Sequence, residues 1–236
     1  AVPNLSDEAL YQQVTAAYEQ PFDLENGPVM RVRLFTRTPS DHILLLVVHH
    51  IALDGWSMWL LLDEFRVLYP AYVKGESSSL SRPEVDYPDF VRWQAELLNG
   101  GEGDKLWAYW QQQLSGELPT LNLMGDHPRP LLPSYRGGSQ VFVIDESTTR
   151  RLKELAKAEG VTLYMVLLAA WQILLHHYTG QKDIITGTPT FGRSLADYAG
   201  IIGDFVNMIP MRTAFVNDPT FKDFLALVRQ TVLGAL

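Results

Sequence analysis

"LLLVVHHIALDGWS" occupies residues 45–58. Aliphatic residues run directly into His49 and His50, Asp54 stands four places after the second histidine, and Gly55 follows it. The segment "HILLLVV" (42–48) does not alternate polar and apolar residues. Its length and β-branched end predict a central strand covered on both faces. Successive side chains of a strand point to opposite faces. With one strand over 42–50, His49 and His50 therefore diverge, and at most one of them faces a given cleft. Asp54 then lies in a turn closed by Gly55, and a helix is predicted over 57–69. Gly55 sits where strand becomes helix, so its backbone N–H is placed to meet a ligand oxygen. An imidazole, a carboxylate and a helix N-terminus together suit acyl transfer: the imidazole handles a proton beside the attacked carbonyl, and a backbone donor stabilises the developing oxyanion. Taken singly, a strand histidine is more often a satisfied core residue and an Asp-Gly pair an ordinary turn. Both readings stand on these residues alone.

The rest of the chain narrows the class. Its 236 residues suit one large domain or two small lobes. With 47% apolar and 19% charged residues it has an ordinary globular mix. A net charge of −8 argues against nucleic acid or an anionic membrane as the main partner. There is no cysteine, which excludes disulfides and thiolate metal sites and fits a cytoplasmic location; no metal site is expected. The apolar run "VTLYMVLLAAWQILL" (161–175) contains Gln172. It is shorter than the ~18 residues of a membrane span, so it reads as a buried helix. The chain opens on alanine and stops at Leu236 without a helix stop signal, which reads as a piece of something longer.

Mixed strands and helices point to an α/β protein with two subregions. Ser6 is expected to cap a first helix. "RVRLFTR" (31–37) alternates as a half-buried strand. Trp59, Leu62, Phe65 and Tyr69 form one helical stripe, and Pro70 is expected to kink or end that helix. Loop-like stretches fall at 75–88 and 124–138. Strands are predicted at "QVFVI" (140–144), "DIITGTPT" (183–190) and "FVNMIPMRTAF" (205–215). A last helix is expected with Asp218 as N-cap and Pro219 at its first position.

"HHIALDGWS" (49–57) resembles the HHxxxDG signature of condensation domains from nonribosomal peptide synthetases. "PFDLENGPVMRVRLF" (21–35), "YPDFVRWQ" (87–94) and "GRSLADYAGIIGDFVNMIPMR" (192–212) resemble further motifs of that family, in family order. The resemblance implies a two-lobe fold like chloramphenicol acetyltransferase, with both lobes incomplete here: residues 1–80 would end the N-terminal lobe, and 81–236 would hold connecting helices and most of the C-terminal lobe. It implies amide formation between a carrier-bound donor acyl or peptidyl thioester and the α-amine of a carrier-bound aminoacyl thioester. His50 would be the active-site histidine, Asp54 a structural carboxylate and Gly55 a backbone that orients substrate, with His49, Trp56 and Ser57 in support. In the family the equivalent carboxylate pairs with an arginine from a region upstream of the residues present in this chain; Arg31, Arg33, Arg193 and Arg212 are the available substitutes. His176 and His177 match no motif and read as structural. No cofactor is expected on the domain itself. Substrates would arrive on phosphopantetheine arms of donor and acceptor peptidyl carrier proteins, with an adenylation domain adjacent. The rival readings are an epimerisation domain, which usually lacks the Gly-Trp-Ser found here at 55–57, and a non-catalytic carrier-binding fragment.

Overall fold

A computed structural model describes residues 6–77, 79–128, 130–135 and 137–236. Ser78, Arg129 and Arg136, within the two loop-like stretches, lie outside the described residues. The chain forms two compact units, one of residues 1–100 and 191–207, the other of 101–190 and 208–236.

The first unit opens with α1 (Asp7–Tyr18), where the Ser6 side chain accepts the Ala9 N–H. Strands β1 (Met30–Thr38) and β2 (Asp41–Val48) form an antiparallel hairpin, with Met30 opposite Val48 and Thr36 opposite His42. Among the described residues β2 pairs with β1 alone. The expected central strand, covered on both faces, is instead a half-exposed hairpin strand, because an unbroken apolar run reports hydrophobicity and not the number of partners. The strand also stops at Val48, two residues short of His50. A turn replaces it: the Ala52 N–H donates to the His49 carbonyl at 3.0 Å.

Helix α2 (Gly55–Lys74) starts two residues earlier than predicted and runs through Pro70. Proline removes one N–H from the helical ladder. The following turn is nonetheless completed and closed at Gly75, whose φ of 71° lets its N–H reach the carbonyls of Ala71 and Tyr72. The stripe of Trp59, Leu62, Phe65 and Tyr69 is largely exposed. Helix α3 (Tyr87–Asn99) begins with a reciprocal capping box between Asp86 and Asp89. It packs Phe90 against Tyr198, Ile201 and Phe205, with Val85, Tyr87 and Trp93 around them. This aromatic cluster ties segment 191–207 to the helix and so places that segment beside the 49–57 turn.

The second unit contains α4 (Gly101–Gln113), α5 (Glu146–Ala158), α6 (Leu163–Thr179), paired strands β3 (Asp183–Thr190) and β4 (Asn207–Ala214), and α7 (Phe221–Ala235). Its core joins Val166 and Ala169 of α6 to Met211 of β4 and to Phe224, Leu225 and Val228 of α7. Gln172 is fully buried in α6 but satisfied. Its amide nitrogen donates to Thr186 Oγ1 at 3.0 Å and to the Met211 carbonyl at 3.3 Å, and its oxygen accepts from Thr213 at 2.8 Å. A buried polar group so paired avoids the desolvation cost of an orphan. Among the described residues no single helix is long and apolar enough to cross a membrane.

Two expectations fail here. Residues 140–144 form no strand, and Phe142 and Val143 are exposed: β-branched and aromatic residues supply a propensity, whereas a strand needs a partner ladder. The last helix is capped by Thr220, not Asp218. The Thr220 hydroxyl accepts the Asp223 N–H and the Asp223 carboxylate accepts the Thr220 N–H, a reciprocal pair that Asp218, at φ 49°, is turned away from. His176 donates through Nδ1 to the Gln181 carbonyl, 2.7 Å away, and stacks on Phe215 at 4.2 Å.

Candidate active site

The site is built where the turn after β2 enters α2. His49 turns inward: its Nδ1 accepts the Ile51 N–H at 3.1 Å, and its ring meets the edge of Phe22 at 5.7 Å. His50 turns outward, with 69% of its side chain exposed, and its Nδ1 lies 3.6 Å from Asp204 Oδ2. The two rings meet different partners, and both residues lie past the end of β2 and not on a strand.

Asp54 is the N-cap of α2, its carboxylate accepting the Ser57 N–H at 2.7 Å. It is buried, and so is its partner. The Arg193 guanidinium reaches both Asp54 oxygens, at 3.2 and 3.3 Å. Taking two charges out of water is costly unless their remaining hydrogen-bonding capacity is used, and here most of it is. Asp54 Oδ2 also accepts the Phe205 N–H at 3.2 Å. Arg193 donates to the carbonyls of Tyr198 and Ile201 at 2.7 and 2.8 Å and to Ser57 Oγ at 2.7 Å, and lies 3.8 Å over the Phe205 ring. Burial alone would raise the Asp54 carboxyl. The backbone N–H and side chain of Ser57, the Phe205 N–H and the Arg193 charge outweigh it and hold the group below the ordinary carboxylate value.

Ser57 is fully buried and ties α2 to the 203–205 segment. Its hydroxyl donates to the Gly203 carbonyl at 2.7 Å and accepts the Gly203 N–H at 3.0 Å, while the Asp54 N–H donates to the same carbonyl at 3.0 Å. Trp56 donates its indole N–H to the Ala199 carbonyl at 2.9 Å and sets its ring edge-on to Phe191 at 5.2 Å. Gly55 is the first residue of α2, so its N–H has no carbonyl behind it within the helix. A Cβ built there would meet nothing within 4 Å.

Of the four candidate arginines, Arg193 is the one beside Asp54. Arg31 donates to the carbonyls of Gln20 and Pro21 and covers the Phe22 ring at 4.0 Å, and Arg33 reaches the Gln20 side chain at 3.3 Å. Arg212 belongs to the second unit, paired with Asp183 at 2.7 Å. Asp204 and Tyr87 were not anticipated as site residues. Tyr87 donates its hydroxyl to the Asp204 carbonyl at 2.6 Å. Asp204 stands between Gly203 and Phe205 inside the 192–212 stretch, and nothing in its sequence neighbours marks it as lying beside His50. Among the described residues no cluster of histidines and carboxylates suits a metal ion.

This arrangement of histidine turn, capping aspartate and buried arginine accompanies a family match along the chain: the family model described as "Condensation domain" matches residues 3–236. The chain belongs to the condensation domain family. A linear gramicidin synthase of Brevibacillus parabrevis is 44% identical over 216 residues, a match covering 92% of this chain and 4% of that synthase. The X-domain from teicoplanin biosynthesis superposes with a TM-score of 0.90 at 29% identity, over 99% of this chain and 53% of that one, and the same domain in complex with OxyB gives 0.89 at 28%. The first condensation domain of the CDA synthetase gives 0.75 at 22% identity and covers 97% of this chain and 50% of that one, a likeness of fold alone. The fold is thus the α/β, chloramphenicol acetyltransferase-like fold of condensation domains. The chain spans a few per cent of the length of the synthase it matches and about half of each solved domain.

Proposed function

We propose that this chain forms amide bonds in nonribosomal peptide synthesis. The amine nitrogen of a carrier-bound aminoacyl thioester attacks the carbonyl carbon of a carrier-bound donor thioester. A C–N bond forms, the C–S bond breaks, the nitrogen loses a proton and the departing sulfur gains one. The observation that carries the proposal is the exposed His50 ring, set at the mouth of the turn that Asp54 and Arg193 anchor from beneath.

His50 need not be a strong base. An α-amine titrates at ~8, so a useful fraction is neutral near pH 7. The ring's task is to take the proton from the tetrahedral adduct and to hold the amine at attack distance. General acid–base help is worth roughly 10²–10⁴-fold, and positioning two tethered reactants matches or exceeds that. The Gly55 N–H, at the start of α2, offers a donor to a substrate oxygen. Asp54 is a scaffold: its oxygens are committed to Ser57, Phe205 and Arg193. The substrates ride on phosphopantetheine arms of donor and acceptor peptidyl carrier proteins, with an adenylation domain as neighbour, in the cytoplasm. Residues 1–80 end an N-terminal lobe, and residues 81–236 supply connecting helices and most of a C-terminal lobe.

The test is to supply the full-length protein with two loaded carriers and look for product by mass spectrometry. Amide product that falls when His50 is replaced by alanine supports condensation. Inversion at the α-carbon without chain growth would make this an epimerisation domain. A second reading, a protein-binding module, draws support from the X-domain having been solved in complex with OxyB. Carrier binding with neither product would favour it.

A further inference from the structure

We infer that Asp204 is a positioning residue for His50. The inference rests on the reading of His50 as the proton-handling group. Asp204 Oδ2 lies 3.6 Å from His50 Nδ1, an ion-pair separation. Its other oxygen accepts the Val206 N–H at 3.3 Å, which fixes the carboxylate plane. Its main-chain carbonyl accepts the Tyr87 hydroxyl at 2.6 Å. The residues on either side are clamped as well: Gly203 exchanges hydrogen bonds with Ser57 and accepts from Asp54, and Phe205 donates to Asp54. Asp204 thus sits on a strap fastened to the cap of α2, four residues beyond His50, and its carboxylate is held where the ring emerges.

The site then contains two carboxylates with different tasks. Asp54 is buried against Arg193 and cannot serve the ring. Asp204, about one-third exposed, faces it. A carboxylate beside Nδ1 favours the tautomer with the proton on Nδ1, which leaves the Nε2 lone pair for the substrate. It also opposes the positive charge that the ring gains on taking a proton, as a third group does wherever a base is oriented by an acid behind it. At 3.6 Å the effect runs through charge and ring orientation, so it should be a fraction of the full acid–base contribution.

The test uses the full-length protein with donor- and acceptor-loaded carriers and compares the wild type with Asp204→Asn, Asp204→Glu, His50→Ala and the double variant His50→Ala/Asp204→Asn. Asparagine keeps an oxygen for the Val206 N–H and removes the charge. The expected result is a kcat about tenfold lower in Asp204→Asn, part of the roughly 10²–10⁴-fold worth of acid–base help, with acceptor KM and thermal midpoint unchanged. Glutamate should recover part of the rate, and Asp204→Asn should cost nothing further once His50 is gone. Wild-type kcat in Asp204→Asn, an equal fractional loss in the His50→Ala background, or a loss that follows the thermal midpoint overturns the inference. If His50→Ala itself turns over like wild type, or the wild type makes no amide, the reading of His50 falls and takes the inference with it. If His50→Ala slows and Asp204→Asn does not, the inference fails alone.

Discussion

Arg193 and Asp54 stand 139 residues apart in the chain, yet their side chains meet at 3.2 Å with 0% and 2% of each exposed. The pair joins the two stretches of sequence that carry the site and closes beneath the histidine turn. Its energetic worth lies less in the attraction than in what its loss would leave behind, an uncompensated charge in a dry environment.

Arg193→Ala should therefore cost about 3–5 kcal/mol locally. Hydrogen exchange at the Phe205 and Ser57 N–H groups reads it, since both donate to Asp54. Exchange rates within tenfold of wild type would mean a loss no larger than about 1.4 kcal/mol, by the equivalence of ~1.4 kcal/mol to a factor of ten, and the pair would then be dispensable.

The acid response follows from the lowered Asp54 carboxyl. A carboxylate whose folded value lies below its unfolded one stabilises the fold fully above the unfolded value of about 3.9. That stabilisation is lost as pH falls through the lower, folded value. The wild type should thus lose protection at Phe205 on acidification below about pH 4. Asp54→Asn should start less protected and show a flatter acid limb. Superimposable acid limbs for the two proteins would contradict the assignment.

Gly192 is required by geometry. Its φ is +67°, and a Cβ there would lie 1.6 Å from the Phe205 carbonyl oxygen, an approach that no relaxation of a side chain relieves. Gly192→Ala should destabilise by at least about 3 kcal/mol and displace the strap that carries Asp204. Gly200→Ala, with nothing within 4 Å, is the control and should leave stability near wild type. Similar unfolding midpoints for the two variants would refute the packing argument.

Gly55 offers the opposite separation of stability from activity. A Cβ there meets nothing in the fold, and alanine is favoured over glycine in a helix by up to ~1 kcal/mol. Gly55→Ala should keep or raise the thermal midpoint while turnover falls, because the methyl occupies the space through which a substrate oxygen reaches the backbone. Unchanged turnover would remove close backbone approach at Gly55 from the mechanism.

Much of this was legible in residue order. Helix caps are local, and Ser6 is legible from its neighbours, although at the last helix the cap is Thr220 and not the expected Asp218. His49, His50, Asp54 and Gly55 were legible as a group because they lie within seven residues of one another, although the strand expected to carry the histidines ends at Val48. Where an outcome depended on partners distant in the chain, local pattern failed. The run 42–48 reads as a strand covered on both faces but pairs with β1 alone among the described residues, and 140–144 has strand-favouring residues without a strand. Of the two outcomes expected at Pro70, a kink or an end, the end does not occur: the helix continues to Lys74.

Residue order alone determined the groups of the candidate site that lie close together in the chain: a histidine pair, an aspartate four residues later and a glycine at a helix start; it left four arginines as possible partners for that aspartate. Tertiary structure alone decided that Arg193 does so, that His50 and not His49 emerges, and that Asp204 stands beside the emerging ring. The reason is physical: charge balance, exposure and ring orientation depend on distances through space between segments more than a hundred residues apart, and no local periodicity encodes those distances.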